Sequence, residues 1–320
     1  MLTLLSDRRS FLGGLVVALG LPRVALAQDQ LSVVATTGMI ADATRQVGGD
    51  RVTVRALMGP GVDPHAYRQT RSDIAAMAGA DLVLWHGLYL EAQLEEFLAD
   101  MARSRAVVAV ADTLPRDVLI AHDDYAGRFD PHVWMVPDIW ALVVDAVRDA
   151  LIAADPDGTE TYTSNALAHQ TEIAALASYA TQSLATVPEP ARVLVTAHDA
   201  FNYFGNAYGF DVVGIQGIST NSEAGVQRIT ELVDMLVSRQ IGAVFVESSV
   251  SDRAMRALIE GAAAQGHEVQ IGGTLFSDAM GEDGSYEGTY IGMIDHNVTT
   301  ITGALGGTVP DRGMQGRLAS

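Results

Sequence analysis

Three histidines of this 320-residue chain lie in settings typical of metal ligands. His65 and His132 each end an Asp-Pro-His tripeptide, and an aromatic residue follows two positions later in both cases. His198 follows an apolar run that is typical of a buried strand. A proline before histidine restricts the backbone and helps to hold the imidazole in place. An Asp-Pro pair also favours a turn, so turn formation and metal binding are both open interpretations of the tripeptide.

A carboxylate completes this set of candidate ligands. Asp278 follows an apolar run that ends near residue 275, as His65 follows one that ends near residue 58. Ligands of open parallel α/β sheets bind beyond the carboxyl ends of the strands. We therefore expect His65, His132, His198 and Asp278 to meet in one crevice. Three imidazoles and one carboxylate suit Zn²⁺, and also Mn²⁺ or Fe²⁺ where the carboxylate binds through both oxygens.

Four protein ligands around one ion leave no position for a catalytic water. The set therefore favours a binding protein over an enzyme, with Zn²⁺ or Mn²⁺ as the bound ligand. A metal-dependent hydrolase is the alternative function. The sequence has neither a His-Glu-x-x-His nor a Gly-x-Ser-x-Gly motif, which disfavours that alternative.

The segments around these residues alternate between strand and helix patterns. In the first part of the chain, strands are predicted at residues 31–37, 51–58, 81–85 and 106–111, and helices at 38–47, 71–78, 90–101, 138–153 and 159–186. In the second part, strands are predicted at residues 192–196, 211–215, 243–247 and 268–275, and helices at 201–208, 226–239, 253–265 and 290–305.

This order predicts an α/β protein with two lobes of parallel sheet flanked by helices and joined by one long rigid helix. We expect the lobes and their connections to divide the mature chain into an N-terminal lobe at 28–156, a linking helix at 157–187, a C-terminal lobe at 188–305 and a flexible tail at 306–320.

The composition limits the class of protein. The formal net charge of −19 favours cations as partners and disfavours nucleic acid. The chain contains no cysteine, which excludes disulfides and thiolate metal sites and predicts a protein without a cysteine-linked lipid anchor. Hydrophobic residues make up 48% of the chain, enough for a large core.

The first 27 residues have the pattern of an export signal. Arg8 and Arg9 precede an apolar run at residues 11–21, and a small-residue cleavage motif ends at Ala27. We expect cleavage after Ala27 and a protein that is free in the periplasm. The arginine pair fits both the twin-arginine route and the Sec route of export.

The chain resembles the metal-specific (zinc/manganese) solute-binding proteins of ABC transporters, the TroA, ZnuA and PsaA group, and is most similar to its TroA-like members. The resemblance extends from about residue 31 to about residue 305 and is carried by residues 59–65, 80–88, 130–134, 195–201, 204–209, 216–220, 245–249 and 271–280. It implies the same four ligands, two α/β lobes joined by one helix, and an ABC importer permease with its ATPase as partners of a monomer.

Two departures from the family leave the metal open. Zinc-dedicated relatives often have a histidine-rich loop where this chain has only His122, beside Asp123 and Asp124. We expect His122 to be a surface residue, and assistance of metal loading by these three residues is the alternative. Many manganese-dedicated relatives have glutamate at the position of His198. The sequence therefore lies between the zinc and manganese groups.

Two further functions are alternatives within this architecture. A receptor for a chelated metal would have an aromatic or arginine-lined site, and an adhesin-like surface protein would need an anchor. The remaining histidines have structural interpretations: we expect His86 to be structural, His169 to be solvated on the long helix, His267 to lie in a surface loop and His296 to pack or cap. Candidates for orienting the ligand imidazoles, with turn formation as the alternative, are Asp63, Asp130 and Asp199.

Overall fold

The computed structural model describes residues 30–122 and 126–319 of the chain. The predicted export signal and the acidic pair Asp123 and Asp124 lie outside these residues, so the expectations about them stay predictions. In the part of the chain that is described, no helix is both long enough and apolar enough to cross a membrane.

The N-terminal lobe is a parallel sheet covered by helices. Its strands are β1 (Leu31–Ala35), β2 (Val52–Ala56), β3 (Leu82–Trp85) and β4 (Val107–Ala109), and its helices are α1 (Gly38–Gly48), α2 (Arg71–Gly79), α3 (Glu95–Met101) and α4 (Pro137–Ala154). The strand order is β2-β1-β3-β4, and all neighbours are parallel. The carboxyl ends of the strands therefore share one edge, from which the segments carrying His65 and His132 emerge.

The C-terminal lobe repeats this plan. Its strands are β5 (Val193–His198), β6 (Asp211–Gln216), β7 (Ala243–Glu247) and β8 (Gln270–Leu275), and its helices are α6 (Asn202–Tyr208), α7 (Val226–Arg239), α8 (Arg253–Ala264) and α9 (Tyr290–Ala304). β5 pairs with β6 and β7 pairs with β8, both in parallel, while β5 lies beside β7. His198 and Glu247, the last residues of β5 and β7, thus come next to each other.

One long helix connects the two lobes. Helix α5 (Thr159–Leu184) has 26 residues, which is about 39 Å at about 1.5 Å per residue. It contacts α1 and α4 of the first lobe and α9 of the second. The predicted fold class, two lobes of parallel sheet flanked by helices with a long connecting helix, is confirmed.

The prediction that His169 is solvated on this helix is wrong. Its side chain is buried, with a relative exposure of 4%. Ala166 and Ile173, three positions before it and four after it, are also buried. This i, i+3, i+7 spacing places His169 on the stripe that faces the core, and the spacing was available in the sequence.

Helix α3 begins later than predicted, at Glu95 instead of residue 90. Leu88 and Tyr89 have φ angles of 51° and 71°, in the left-handed region. A right-handed helix cannot continue through such residues. The Asp112 carboxylate stabilises this bend, since its Oδ1 accepts a hydrogen bond of 2.8 Å from the Leu88 amide.

The last residues differ from the expected polar tail. Leu318 is buried, and the Met314 amide donates hydrogen bonds of 2.9 and 3.0 Å to the two oxygens of Asp295 on α9. Residues 306–319 therefore pack on the C-terminal lobe.

The two lobes share a hydrophobic core. One cluster of buried side chains includes Val33 and Leu82 of the first sheet, Leu176 of α5, and Leu275 of the second sheet. Trp134 also bridges the lobes, because its indole N–H donates a hydrogen bond of 2.8 Å to the Ser277 carbonyl. The lobes are therefore packed against each other and are not independent bodies.

The buried face of α5 should carry most of its contribution to stability. We expect Leu176→Ala, which removes a fully buried side chain, to lower the free energy of unfolding by about 2–5 kcal/mol. Leu167→Ala on the same helix removes a side chain that is 67% exposed, and should change the free energy of unfolding by less than about 0.5 kcal/mol. Urea unfolding followed by circular dichroism measures both; equal losses would show that α5 packs differently.

Candidate metal centre

The two Asp-Pro-His tripeptides form the same local turn. The Asp63 Oδ1 accepts a hydrogen bond of 2.8 Å from the His65 amide, and the Asp130 Oδ1 accepts one of 2.9 Å from the His132 amide. In each tripeptide the aspartate carboxylate closes an Asx turn around the proline. Turn formation and metal binding are thus compatible roles of the tripeptide, because the turn orients the histidine that follows it.

All four candidate ligands come together at the carboxyl ends of the strands. His65 and His132 lie in segments after β2 and β4, His198 ends β5, and Asp278 follows β8. One ligand atom from each residue lies within 4.8 Å of those of all the others. Both lobes therefore contribute to a single cluster.

The spacing of these atoms fits a small cation. The His132 Nε2 is 3.3 Å from the Nε2 of both His65 and His198. Asp278 lies at the same distance, with Oδ1 3.3 Å from the His132 Nε2 and Oδ2 3.3 Å from the His198 Nε2. A tetrahedron of ligands about 2.0–2.1 Å from its centre has edges of about 3.3–3.4 Å.

The cluster is buried. The exposed fractions of His65, His132, His198 and Asp278 are 2%, 0%, 0% and 2%. Within the described part of the chain, no hydrogen-bond donor meets Oδ1 of Asp278 in good geometry. A buried carboxylate oxygen without a donor is costly, and a cation in the centre of the cluster would compensate it.

Two further carboxylates fix the imidazoles. The Asp130 Oδ1 lies 2.7 Å from the His132 Nδ1, and the Glu247 Oε2 lies 2.6 Å from the His198 Nδ1. The Glu247 Oε1 also accepts a hydrogen bond of 3.0 Å from the His198 amide. A carboxylate on Nδ1 leaves Nε2 of the ring as the ligand atom and increases its basicity.

Burial and the carboxylates act in opposite directions on the imidazole pKa values. Burial alone would lower the pKa of His132, but Asp130 and Asp278 outweigh it and raise the pKa to about 9. Burial is likewise outweighed at His198, where Asp278 and Glu247 raise the pKa well above its usual value. At His65 burial dominates and lowers the pKa to about 3. Protons on His132 and His198 thus balance carboxylate charge when no ion is bound.

Sequence reasoning missed Glu247 as a residue of this site. It singled out Asp199 instead, because Asp199 follows His198 directly, but the Asp199 Oδ1 accepts a hydrogen bond of 2.7 Å from the Gly214 amide. A charged residue at the end of the apolar strand β7 was the available signal. Of the other two candidates, Asp130 contacts its imidazole, whereas Asp63 binds main-chain and hydroxyl groups.

The other histidines lie outside the cluster. His86 is buried, donates from Nε2 to the Pro131 carbonyl at 2.8 Å and packs edge-on against Trp134, as expected of a structural residue. His296 packs against Phe276, and the half-buried His267 donates to the Ile241 carbonyl. The expectation that His122 is a surface residue is wrong, because its exposed fraction is 6%.

Comparison with known proteins identifies a family and several relatives that are similar to this chain. Residues 33–304 match the model of the family described as "ZnuA: Zinc-uptake complex component A periplasmic". The chain is 47% identical to the manganese-binding lipoprotein MntA of Bacillus subtilis (strain 168), covering 87% of this chain and 91% of MntA. It is 44% identical to the zinc-binding protein TroA of Treponema pallidum (strain Nichols), covering 88% of this chain and 91% of TroA.

Solved structures agree with the sequence matches. The periplasmic zinc-binding protein TroA from Treponema pallidum superposes with a TM-score of 0.84 at 44% identity, covering 86% of this chain and 99% of TroA. Fe(III)-bound YtgA from Chlamydia trachomatis superposes with a TM-score of 0.79 at 28% identity, covering 88% of this chain and 100% of YtgA. The chain therefore belongs to the ZnuA family, the metal-specific solute-binding proteins of ABC transporters.

Proposed function

We propose that this protein captures one divalent transition-metal ion, Zn²⁺ or Mn²⁺, through His65, His132, His198 and Asp278 and delivers it to the permease of an ABC importer. The observation that carries this proposal is the convergence of three imidazoles and a carboxylate in the protein interior, with ligand atoms within 4.8 Å of one another and four of their separations at 3.3 Å. Relatives named as manganese-binding and zinc-binding proteins support it.

The same geometry supports binding without catalysis. Four protein ligands complete a tetrahedral coordination sphere, whereas a catalytic zinc keeps one position for water or substrate. The ligands are also buried, which disfavours access of a substrate to the ion. We therefore prefer a receptor to a metal-dependent hydrolase, and a bare ion to a chelated metal.

The carboxylate makes the site compatible with more than one metal. Each oxygen of Asp278 faces a different imidazole at 3.3 Å, so both oxygens are directed toward the centre. Monodentate binding suits tetrahedral Zn²⁺, and bidentate binding suits metals that prefer more ligands. Zn²⁺ binds most nitrogen–oxygen sites more tightly than Mn²⁺, so the physiological metal depends on availability as well as affinity.

We place the protein in the periplasm as a monomer, exported by the twin-arginine or the Sec route and cleaved after Ala27. In the mature chain, residues 28–156 and 188–305 would form the two lobes around a linking helix at 157–187. The net charge of −19 supports attraction of cations and argues against nucleic acid as a partner.

Loss of a ligand should abolish metal capture. We expect wild-type protein to bind one equivalent of Zn²⁺ or Mn²⁺, and His132→Ala and Asp278→Asn to weaken binding more than about 100-fold, beyond the loss typical of residues that only support a ligand. His267→Gln, outside the cluster, serves as the control. Titration calorimetry and elemental analysis of metal-stripped and reloaded protein measure this; unchanged binding in both ligand variants contradicts the proposal.

Glu247 should support metal binding through His198. Because Glu247→Gln removes the carboxylate that orients the imidazole, we expect it to weaken metal affinity about 10–100-fold. The matched control is Asp199→Asn, the acidic neighbour of His198 that binds the Gly214 amide instead, and its affinity should stay near that of wild type. Competition with a chromogenic chelator gives both affinities. A larger effect at Asp199 than at Glu247 would reverse this assignment.

Acid should release the metal. An ion can bind only after the protons on His132 and His198 leave, and the pKa of His132 is raised to about 9 in the ion-free protein. Affinity should therefore fall continuously as the pH drops below about 9, and binding at pH 7 should release about one to two protons per ion. Calorimetry in buffers of different ionisation enthalpy counts these protons; affinity that rises on acidification is incompatible with the site.

A further inference from the structure

The candidate ligands are almost completely buried among the described residues. Their exposed fractions do not exceed 2%, and a protein interior is packed too densely for an ion to pass without movement. Separating the lobes widely would expose the core that they share, including Leu275 and Leu176. Ion exchange therefore requires a local opening somewhere on the surface of the site.

The three imidazoles are held in different ways. His132 and His198 are each fixed by a carboxylate on Nδ1, at 2.7 and 2.6 Å. Apart from its contact with the other imidazoles, His65 is held in the described structure by main-chain hydrogen bonds. Its amide donates to the Asp63 Oδ1 at 2.8 Å, and its carbonyl accepts from the Asn221 Nδ2 at 3.4 Å. His65 is thus the ligand whose position depends most on its surrounding loops.

A loop of the opposite lobe reaches over His65. This loop, residues 217–225, connects β6 to α7. Thr220 donates a hydrogen bond of 2.6 Å from its hydroxyl to the Asp63 Oδ2, while the Asn221 contact, at 3.4 Å, is near the limit for a hydrogen bond. The short bond to a charged acceptor is the stronger of the two, so Thr220 makes the stronger link between this loop and the His65 segment.

The same loop has the features of a segment that opens easily. It has no regular secondary structure; Ile218 near its start is buried, whereas residues 221–223 are exposed. Helix α7 begins after it without a side-chain cap, and its first residue, Val226, is 85% exposed. Segments with few buried contacts open at a small fraction of the global unfolding free energy.

The surroundings of Pro64 are less suited to ion passage. A cavity of about 20 Å³ lies there, lined by Pro64, Asp278 and Met280 among others. A single water molecule needs about 10–15 Å³ of cavity volume. The cavity therefore has room for roughly one water molecule and none for a hydrated divalent ion.

We propose that Thr220 is a positioning residue that latches loop 217–225 over His65, and that the metal ion enters and leaves on this side when the bond between Thr220 and Asp63 opens. The inference rests on the proposed function of metal capture. Because this bond holds the loop over His65, an ion that passes on this side needs the bond to open in either direction, so the latch limits entry as well as exit. Weakening it should accelerate both steps and leave the equilibrium affinity nearly unchanged.

Thr220→Val tests the latch because it keeps the shape of the side chain and removes the hydroxyl. With Zn²⁺ as the probe, stopped-flow fluorescence measures association with a zinc indicator and dissociation into excess chelator. We expect both rate constants to rise about 10-fold, the effect of losing one hydrogen bond to a charged group, with Kd within about 2-fold. Thr220→Ser retains the hydroxyl and should behave as wild type.

Thr230→Val is the matched control. Thr230 is an exposed residue of α7 whose hydroxyl donates only to the Val226 carbonyl among the contacts of the described structure. Its variant should keep wild-type rates. If Thr220→Val is poorly folded by circular dichroism, Asn221→Ala provides a second, weaker opening of the same loop and should raise both rates to a smaller extent.

Two outcomes would overturn the latch. Wild-type rates in folded Thr220→Val would show that the bond does not limit exchange, and a faster exit with unchanged entry would show that Thr220 supports ligand geometry instead. Failure of the proposed function is distinguishable from both, because wild-type protein would then bind no Zn²⁺ in the same titration.

Discussion

The structure depends on a carboxylate that is buried among imidazoles. Asp278 is 2% exposed, and an isolated carboxylate in a protein interior is unfavourable by several kcal/mol. Burial raises its pKa, but His198 and His132 outweigh burial and hold the pKa well below its usual value. The carboxylate therefore stays charged and needs a positive partner. Protons on the imidazoles of His132 and His198 can fill this role, because their pKa values are raised, and a divalent ion in the centre of the cluster can take their place.

Two more buried carboxylates make this demand for positive charge stronger. Asp130 and Glu247 each contact a ligand imidazole, and both lie in the interior. Asp130 is also held from the other lobe, because the Asn202 Nδ2 donates to its Oδ2 at 3.2 Å and the Tyr203 hydroxyl donates to its carbonyl at 2.9 Å. The charge that attracts the ion is thus part of the contact between the lobes, so binding and lobe packing are energetically linked.

The sequence was most informative where a signal is local. Strand and helix positions follow from periodicity, and His65 and His132 stand out because the tripeptide itself folds into an Asx turn. The polarity of His169 suggests an exposed side chain, but its spacing from the apolar residues of the helix correctly predicts that it is buried. Two features depend on tertiary contacts. The role of Glu247 arises only because β7 lies beside β5, and the left-handed Leu88 depends on Asp112, which is 24 residues away.

The four candidate ligands are not held equally firmly by the surrounding protein. This difference determines which of them can adjust to metals of different preferred geometry. His132 and His198 are locked by carboxylates and fully buried, so their Nε2 atoms define a fixed edge of 3.3 Å. A metal that needs longer bonds or a fifth ligand cannot move this edge without disturbing two buried ion pairs, which is costly. The adjustable parts are His65, held through its main chain, and Asp278, with two oxygens directed inward. If this cluster binds the metal as proposed, any difference in coordination between Zn²⁺ and Mn²⁺ is therefore expected at these two residues, one from each lobe.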